Sequence, residues 1–180
     1  MSVLRSSSSS ATHSKPLIGR CSLSGLGSDF NINADHSGAA ANYDYSSQDG
    51  DVLITKVRIH IFDATGAPAS NLFGNVAART NGLIFRHMRG STVVSTLTPD
   101  PIKQLSDWGR YTNEITTINP TAAAALHYTC VDWTLPADGI LLKNDEADVF
   151  RVVANDDFSG IDILTVYVLG YHGGNAAVVL

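Results

Sequence analysis

Hydrophobic residues recur at every second position along much of the chain after residue 50, which is the pattern of strands that bury one face of a sheet. The pattern is clearest in residues 51–63, where apolar side chains occupy alternate positions from Val57 onward. The apolar phase slips between Ile54 and Val57, and such a slip within a strand indicates an inserted residue. The sequence therefore predicts one long strand with a β-bulge near Thr55 and Lys56.

Further strand-like runs follow at short intervals, and turn signals rich in Gly, Pro, Asn and Asp separate them. They cover residues 82–89, 92–97, 128–135, 140–142, 149–154 and 161–171. Short strands at this spacing favour a β-sandwich or barrel over alternating strands and helices, and residues 100–111 contain at most a turn or two of helix. The last run is apolar on both faces, which predicts a central strand or one covered by a neighbouring chain.

The first fifty residues differ from the rest in composition, since they contain thirteen serines and the remainder of the chain contains five. Apolar residues are sparse there and follow no sustained period, so the segment buries too little surface to offset the entropy of ordering it. We predict a Ser-rich extended N-terminal arm over residues 1–50 and a β-sandwich domain over residues 51–180. The arm either stays a disordered tail or orders on a partner. Its apolar anchors for a partner are Leu17, Ile18, Phe30 and Ile32.

Charge is low and unevenly distributed along the chain. Only 16% of the residues are charged, and the formal net charge of −5 argues against a protein that tracks nucleic-acid phosphates. No apolar run approaches the roughly 20 residues of a membrane-spanning helix, so neither nucleic acid nor membrane is an expected partner. Residues 51–131 carry seven basic and five acidic side chains, whereas residues 132–180 carry two basic and eight acidic ones. These opposite-signed segments either meet between copies of the chain or form solvated loops.

Side chains that could carry catalysis are scattered. The six histidines show no metal-ligand spacing, no Gly-x-Ser-x-Gly motif is present, and we interpret Cys130 as an inert core thiol. The acidic stretches at residues 145–148 and 155–160 contain the oxygen ligands that calcium takes, but Asp and Asn also form turns, and the turn interpretation is favoured. We therefore predict a protein that is not an enzyme and holds no cofactor.

Four aromatic residues of the β domain have two interpretations, a sugar-binding face or part of the sandwich core, of which the core is the commoner. They are Trp108, Tyr111, Tyr128 and Trp133. If the sugar-binding face exists, replacement of either tryptophan abolishes glycan binding.

A set of motifs in the β domain resembles small structural proteins of tailed bacteriophages. They comprise Trp133 followed by Leu135, a Gly-Ile-Leu-Leu run at residues 139–142, the closing pair Gly170 and Tyr171, and a turn between two strands. The turn is the most specific part and contains Asn155, Asp156, Asp157, Phe158 and Gly160. The resemblance covers roughly residues 51–172 and leaves out the arm.

The resemblance implies a capsid decoration or cement protein with a jelly-roll-like β-sandwich and no catalytic residues. Its partners would be the major capsid protein and other copies of itself, with a trimer favoured over a dimer. Such a protein is made in the host cytoplasm and lies on the outer capsid surface of the virion. Two alternatives stay open: a carbohydrate- or receptor-binding β-sandwich module, and a head–tail or fibre-base component of a phage tail.

Overall fold

The computed structural model describes residues 15–20, 41–46, 50–63, 68–74, 76–118, 127–158 and 160–173. Within these ranges the strands are β1 (Lys15–Arg20), β2 (Ala41–Tyr45), β3 (Asp51–Asp63), β4 (Leu72–Phe73), β5 (Val76–Ala77), β6 (Leu83–Arg89), β7 (Thr92–Thr96), β8 (Glu114–Ile118), β9 (His127–Thr134), β10 (Ile140–Leu142), β11 (Asp148–Ala154) and β12 (Ile163–Gly173). A short 3-10 helix, Leu105–Arg110, lies between β7 and β8. The described part of the chain is therefore nearly all β, as the sequence predicts.

Two antiparallel sheets form the body of the protein. The larger sheet has the order β1-β12-β3-β9-β8, with β10 also paired to β3, and the smaller sheet has the order β2-β11-β6-β7. Setting aside β8, β10 and the small β4-β5 pair, eight strands remain, and they divide equally between the two sheets. Of these eight strands, β1, β2 and β3 lie alternately in the larger and the smaller sheet, and the last strand, β12, lies between β1 and β3. This connectivity is that of an eight-stranded jelly roll, which confirms the predicted fold class.

The long strand β3 contains the predicted bulge. On the edge shared with β12, Leu169 pairs with Lys56 and Gly170 pairs with Ile54, so Thr55 is the inserted residue. The buried positions of β3 change phase at the same place. The chains approach closely there, because a Cβ on Gly170 would lie 1.9 Å from the carbonyl oxygen of β3 residue 53. Only glycine fits this position without a shift of the backbone.

The core lies between the two sheets and is centred on aromatic rings. Phe85 of the smaller sheet meets Trp108 and Trp133 edge to face, with ring centroids 5.7 Å apart in both pairs. Phe150 packs beside Phe85 at 6.0 Å. Buried aliphatic side chains of β3 and β12, among them Ile59, Ile61, Leu164 and Val166, belong to the same core cluster. Each favourable aromatic pair adds about 0.5–1.5 kcal/mol to the stability that burial supplies.

Two strands lie inside the segment predicted as an arm, which corrects that part of the prediction. β1 pairs with β12, and β2 pairs with β11, so the body begins before residue 51. The side chain of Tyr43 in β2 is buried. Each of these strands is only five or six residues long, and its partner is more than 100 residues away in sequence, so local periodicity does not reveal it.

The anchors predicted for the arm fall in two places. Within β1, Leu17 pairs with Gly170 and Ile18 with Leu169, so their backbone extends the larger sheet of the same chain. Phe30 and Ile32 lie outside the described residues.

The close approach at the bulge gives a test of the fold. We expect Gly170→Ala to lower the free energy of unfolding by about 1–3 kcal/mol, because the added methyl group collides with the backbone of β3. Gly109→Ala is the matched control, since no atom lies within 4 Å of its added Cβ, and its effect should stay within about 0.5 kcal/mol. Urea unfolding of both variants measures the difference, and equal stabilities would contradict the described register.

Candidate interaction surface

The turn that carries the phage resemblance joins β11 to β12 and is bonded to the loop before β6. The Asp156 carboxylate accepts hydrogen bonds from the backbone N–H groups of Asn81, at 2.8 Å, and Gly82, at 2.5 Å. The Asn81 side chain also donates to it, at 3.2 Å. The carbonyl oxygen of Asp157 accepts a hydrogen bond from the Arg79 guanidinium at 2.6 Å. A carboxylate that binds backbone donors in this way fixes a loop, which is a structural role.

Packing completes the same turn. Phe158 is fully buried and meets Phe73 edge to face, with ring centroids 5.2 Å apart. A Cβ on Gly160 would lie 2.8 Å from a methyl group of Val76, so a larger residue there would push the loops apart. The N–H of Asn155 donates to the loop before β6 as well. The sequence motif is therefore a joint between loops at one end of the sandwich.

The second acidic stretch, residues 145–148, is paired with the chain's own cations. Arg89 donates to both oxygens of the buried Asp148 carboxylate, at 2.8 and 3.2 Å, and His87 Nε2 lies 3.2 Å from it. The bond from Arg89 is the main reason that the pKa of Asp148 falls to about 2. Glu146 pairs with Arg89 and, at 2.8 Å, with Lys143. Among the described residues no group of three or more His, Cys, Asp and Glu side chains could hold a metal ion.

The two tryptophans are core residues. Trp108 and Trp133 are almost completely buried and contact Phe85, so neither ring can stack on a sugar. The sugar-binding interpretation of these two residues is wrong, and the core interpretation is confirmed. Tyr111 packs on Trp133 with centroids 5.6 Å apart. Tyr128 is different, because it lies on the outer face of the larger sheet.

The outer face of the larger sheet is a continuous surface made by four neighbouring strands. Strand register aligns its side chains in three rows across β12, β3, β9 and β8. The apolar row is Ile163, Phe62, Tyr128 and Ile118, the middle row is Thr165, His60, Cys130 and Thr116, and the charged row is Tyr167, Arg58, Asp132 and Glu114. Together these three rows are called the outer face below.

The apolar row exposes large hydrophobic side chains at both ends. Ile163 is 42% exposed and Ile118 is 51% exposed, while Phe62 and Tyr128 between them are half-buried. A shallow depression of about 320 Å³ lies between the apolar row and Tyr167. The apolar row continues across four strands, and exposed apolar patches are typical of contact surfaces.

The charged row and the adjacent Lys56 together carry no net charge. Arg58 forms a two-pronged ion pair with Asp132, with Nε–Oδ1 and Nη2–Oδ2 distances of 2.5 and 2.7 Å. Lys56, two residues before Arg58 in β3, lies 3.6 Å from Asp132 and 3.4 Å from Glu114. The hydrogen bonds from Arg58 lower the pKa of the Asp132 carboxyl below its usual range. Two basic and two acidic side chains therefore leave this part of the face without net charge.

His60 in the middle row is held by aromatic neighbours. The Tyr128 hydroxyl is 2.5 Å from His60 Nδ1, and the Tyr167 ring meets the imidazole edge to face at 4.9 Å. Burial, with a contribution from nearby Arg58, lowers the pKa of His60 below its ordinary value. The imidazole is therefore neutral at pH 7 and adds no charge to the outer face.

Cys130 lies in this middle row, which corrects its assignment to the core. In β9 the buried side chains are Thr129, Val131 and Trp133, so residue 130 points to the opposite face and is half-buried. Its Sγ is 3.9 Å from Asp132 Oδ1, and burial raises the pKa of the thiol. The alternation of β9 is regular, but the sequence alone did not indicate which of its two faces was buried.

Ion pairs also join the two oppositely charged segments of the sequence. Two of the two-pronged pairs connect a basic residue before position 132 to an acidic residue from position 132 onward, Arg58 with Asp132 and Arg89 with Asp148, while the pair of Arg151 with Asp44 runs in the opposite sense. Antiparallel strand pairing brings the two segments together within one chain. These charges are therefore used inside the protomer, which neither sequence interpretation anticipated.

The Asp156 contacts give a test of the turn. Asp156→Ala leaves two backbone N–H groups without their acceptor, and the Gly82 backbone is buried, so we expect a loss of about 1–3 kcal/mol in the free energy of unfolding. Asp145→Ala removes the same charge from an exposed turn and should change stability by less than about 0.5 kcal/mol. Chemical denaturation compares the two, and a neutral Asp156→Ala would refute the structural role of the turn.

The low pKa of Asp148 predicts acid sensitivity. A carboxyl whose pKa is depressed by folding stabilises the native state above its ordinary pKa of 3.8, and this contribution is lost as pH falls toward about 2. Between these pH values the stability of Asp148→Asn should therefore decline less steeply than that of the wild type. Urea midpoints measured across this range give the two slopes, and identical slopes would show that Asp148 is not the residue responsible.

Comparisons with known proteins leave the function to be argued from this geometry. No protein-family model matches the chain, no curated protein matches it, and no solved structure matches it. In the part of the chain that the structure describes, no helix has the length and apolarity to cross a membrane.

Proposed function

We propose that this chain is a structural protein of a virion, a decoration protein that binds the outside of a capsid shell and stabilises it. Its partner in this proposal is the major capsid protein. The observation that carries the proposal is the outer face, on which exposed apolar side chains adjoin charges that are already paired. Such a surface suits burial against neighbours in an assembly, because little charge has to be desolvated without a partner.

The fold and the loop joint support a structural role. Jelly rolls occur in viral capsid domains and also in lectins, so the fold by itself is compatible with assembly or with sugar binding. The motif that resembles phage structural proteins holds loops together through Asp156 and Phe158 and has the character of a rigid framework. Rigid sandwiches suit proteins that reinforce a shell, since a stiff body transmits load between its contacts.

The alternatives differ in what they require. A sugar-binding module built on Trp108 and Trp133 has lost its basis, because both rings are buried. A head–tail or fibre-base component could use the same fold and the same outer face, and it differs from a decoration protein in the number of copies per particle.

Quantitative mass spectrometry of purified virions tests the proposal. A decoration protein is expected in numbers comparable to the capsid subunits, on the order of hundreds per particle, because it follows the symmetry of the shell. A count of about six or twelve would replace it with a ring-shaped tail component. Absence from the particle would overturn a virion role altogether.

The stabilising role has its own measurement. Particles assembled without the chain should lose their shells at lower temperature than complete particles, and addition of the purified chain should restore the difference. The Ile163→Asp variant is expected to restore less of the thermal stability of the shell, because it places a charge in the exposed apolar row. Val93→Asp, an equally exposed position on β7, is the control and should act as the wild type does. Equal thermal stability with and without the chain would contradict the stabilising role.

A further inference from the structure

We propose that the outer face is where two copies of this chain meet, face to face about a two-fold axis. This inference rests on the proposed structural role and names the neighbour that covers the outer face in the assembly, a second copy of the chain, so that the dimer binds the capsid protein through its other surfaces. The two-fold axis lies between the two facing sheets, runs parallel to the strands and crosses the apolar row between Phe62 and Tyr128.

The first argument is the symmetry of the apolar row itself. The row runs from Ile163 at one end to Ile118 at the other, with Phe62 and Tyr128 between them. A two-fold axis at its centre exchanges its ends, so Ile163 of each copy lies over Ile118 of the other and the two rings oppose one another. Both isoleucines are exposed in the single chain, and both would be buried by the same contact.

The second argument is electrostatic. In a two-fold contact each patch meets an identical patch, so any net charge on the patch is opposed by the same charge. The chain as a whole carries −5, which disfavours most self-contacts. The outer face avoids this cost, because Lys56 and Arg58 balance Asp132 and Glu114 within one copy.

The opposite face of the sandwich is less suitable. On the outside of the smaller sheet, strand register aligns Arg86 with Arg151 and Asp44, and this row carries one more positive charge than negative charge. Two copies that met there would bring like charges together. Among the side chains that the structure describes, those of the outer face together with Lys56 carry no net charge, whereas those on the outside of the smaller sheet carry one excess positive charge.

The resemblance to phage proteins favours a trimer, and the outer face leads to a different expectation. A three-fold contact joins two different patches of each copy, whereas an apolar row that pairs with itself requires a two-fold axis. The number of copies in solution therefore discriminates directly between the two.

Sedimentation velocity of the full chain over a range of concentrations measures that number. We expect a reversible monomer–dimer equilibrium. Ile163→Glu and Ile118→Lys should each raise the dimer dissociation constant by about tenfold or more, because each single variant places an unpaired charge against an isoleucine of the other copy. Ile115→Lys, at an exposed position on the other face of β8, is the matched control and should leave the dimer unchanged.

The double variant Ile163→Glu with Ile118→Lys tests the geometry more sharply. In the proposed dimer each new glutamate meets the new lysine of the other copy, so the double variant should dimerise more tightly than either single variant. Within one chain the two positions are separated by the width of two intervening strands, roughly 14 Å between their backbones, so the rescue cannot arise inside a single copy.

Each alternative outcome of these measurements contradicts the inference. A monomer at all concentrations, a trimer, or a dimer that tolerates both single variants would overturn it. A double variant no tighter than the single ones would overturn the placement of the axis. If the dimer behaves as expected but the chain is absent from purified virions, the proposed function is refuted and the self-contact still holds.

Discussion

The architecture depends on the pairing of one long strand, β3, with partners on both of its edges. One edge pairs with β12 along its whole length, and the other pairs first with β10 and then with β9. The bulge at Thr55 keeps apolar side chains on the inner face on both sides of the point where these partners change. The inner face of β3 contributes to the core, and its outer face supplies Phe62, His60 and Arg58 to the surface that the proposals concern.

Antiparallel pairing also determines the electrostatics of that surface. The sequence separates basic residues from acidic ones, and the sheet recombines them when β3 aligns with β9 and β6 aligns with β11. The ion pair of Arg58 with Asp132 consequently lies in the middle of the sheet surface, and that of Arg89 with Asp148 lies at the end of the smaller sheet. Partly exposed ion pairs such as that of Arg58 with Asp132 add little stability. Their larger consequence is an open surface without net charge beside an exposed apolar row.

Much of this fold was predictable from local pattern, and the failures lie where a local pattern does not show which face is buried. The strand over residues 51–63 and its bulge follow from a phase slip between Ile54 and Val57, which the sequence displays directly. The strands β1 and β2 were not predicted, because each pairs with a strand more than 100 residues away. The strand β8 pairs with the next strand, β9, and was missed because all five of its residues are exposed and show no buried face. The same limit explains Cys130, whose alternation was visible while the identity of the buried face was not.

The candidate surface was less predictable than the fold, because it exists only after the strands align. Phe62, Tyr128, Ile163 and Ile118 are far apart in sequence and belong to four strands, so no motif connects them. The apolar character of the last strand on both faces was the one signal, and it indicated either a central strand, which β12 is between β1 and β3, or cover by a neighbouring chain. The turn at residues 155–160 was conspicuous in sequence and proved to hold loops together. In this protein the conspicuous polar motif therefore stabilises the loops, whereas the candidate contact surface is made of apolar residues dispersed along the sequence.

The central claim is that the outer face is covered when the protein is in its assembly. Oxidative footprinting by hydroxyl radicals, read out by mass spectrometry, measures this cover directly on Phe62 and Tyr128. We expect both rings to be labelled in dilute monomer and protected in the intact particle, while the labelling of partly buried Tyr111, which lies off this face, stays the same. Equal labelling of Phe62 and Tyr128 in the two states would contradict the account.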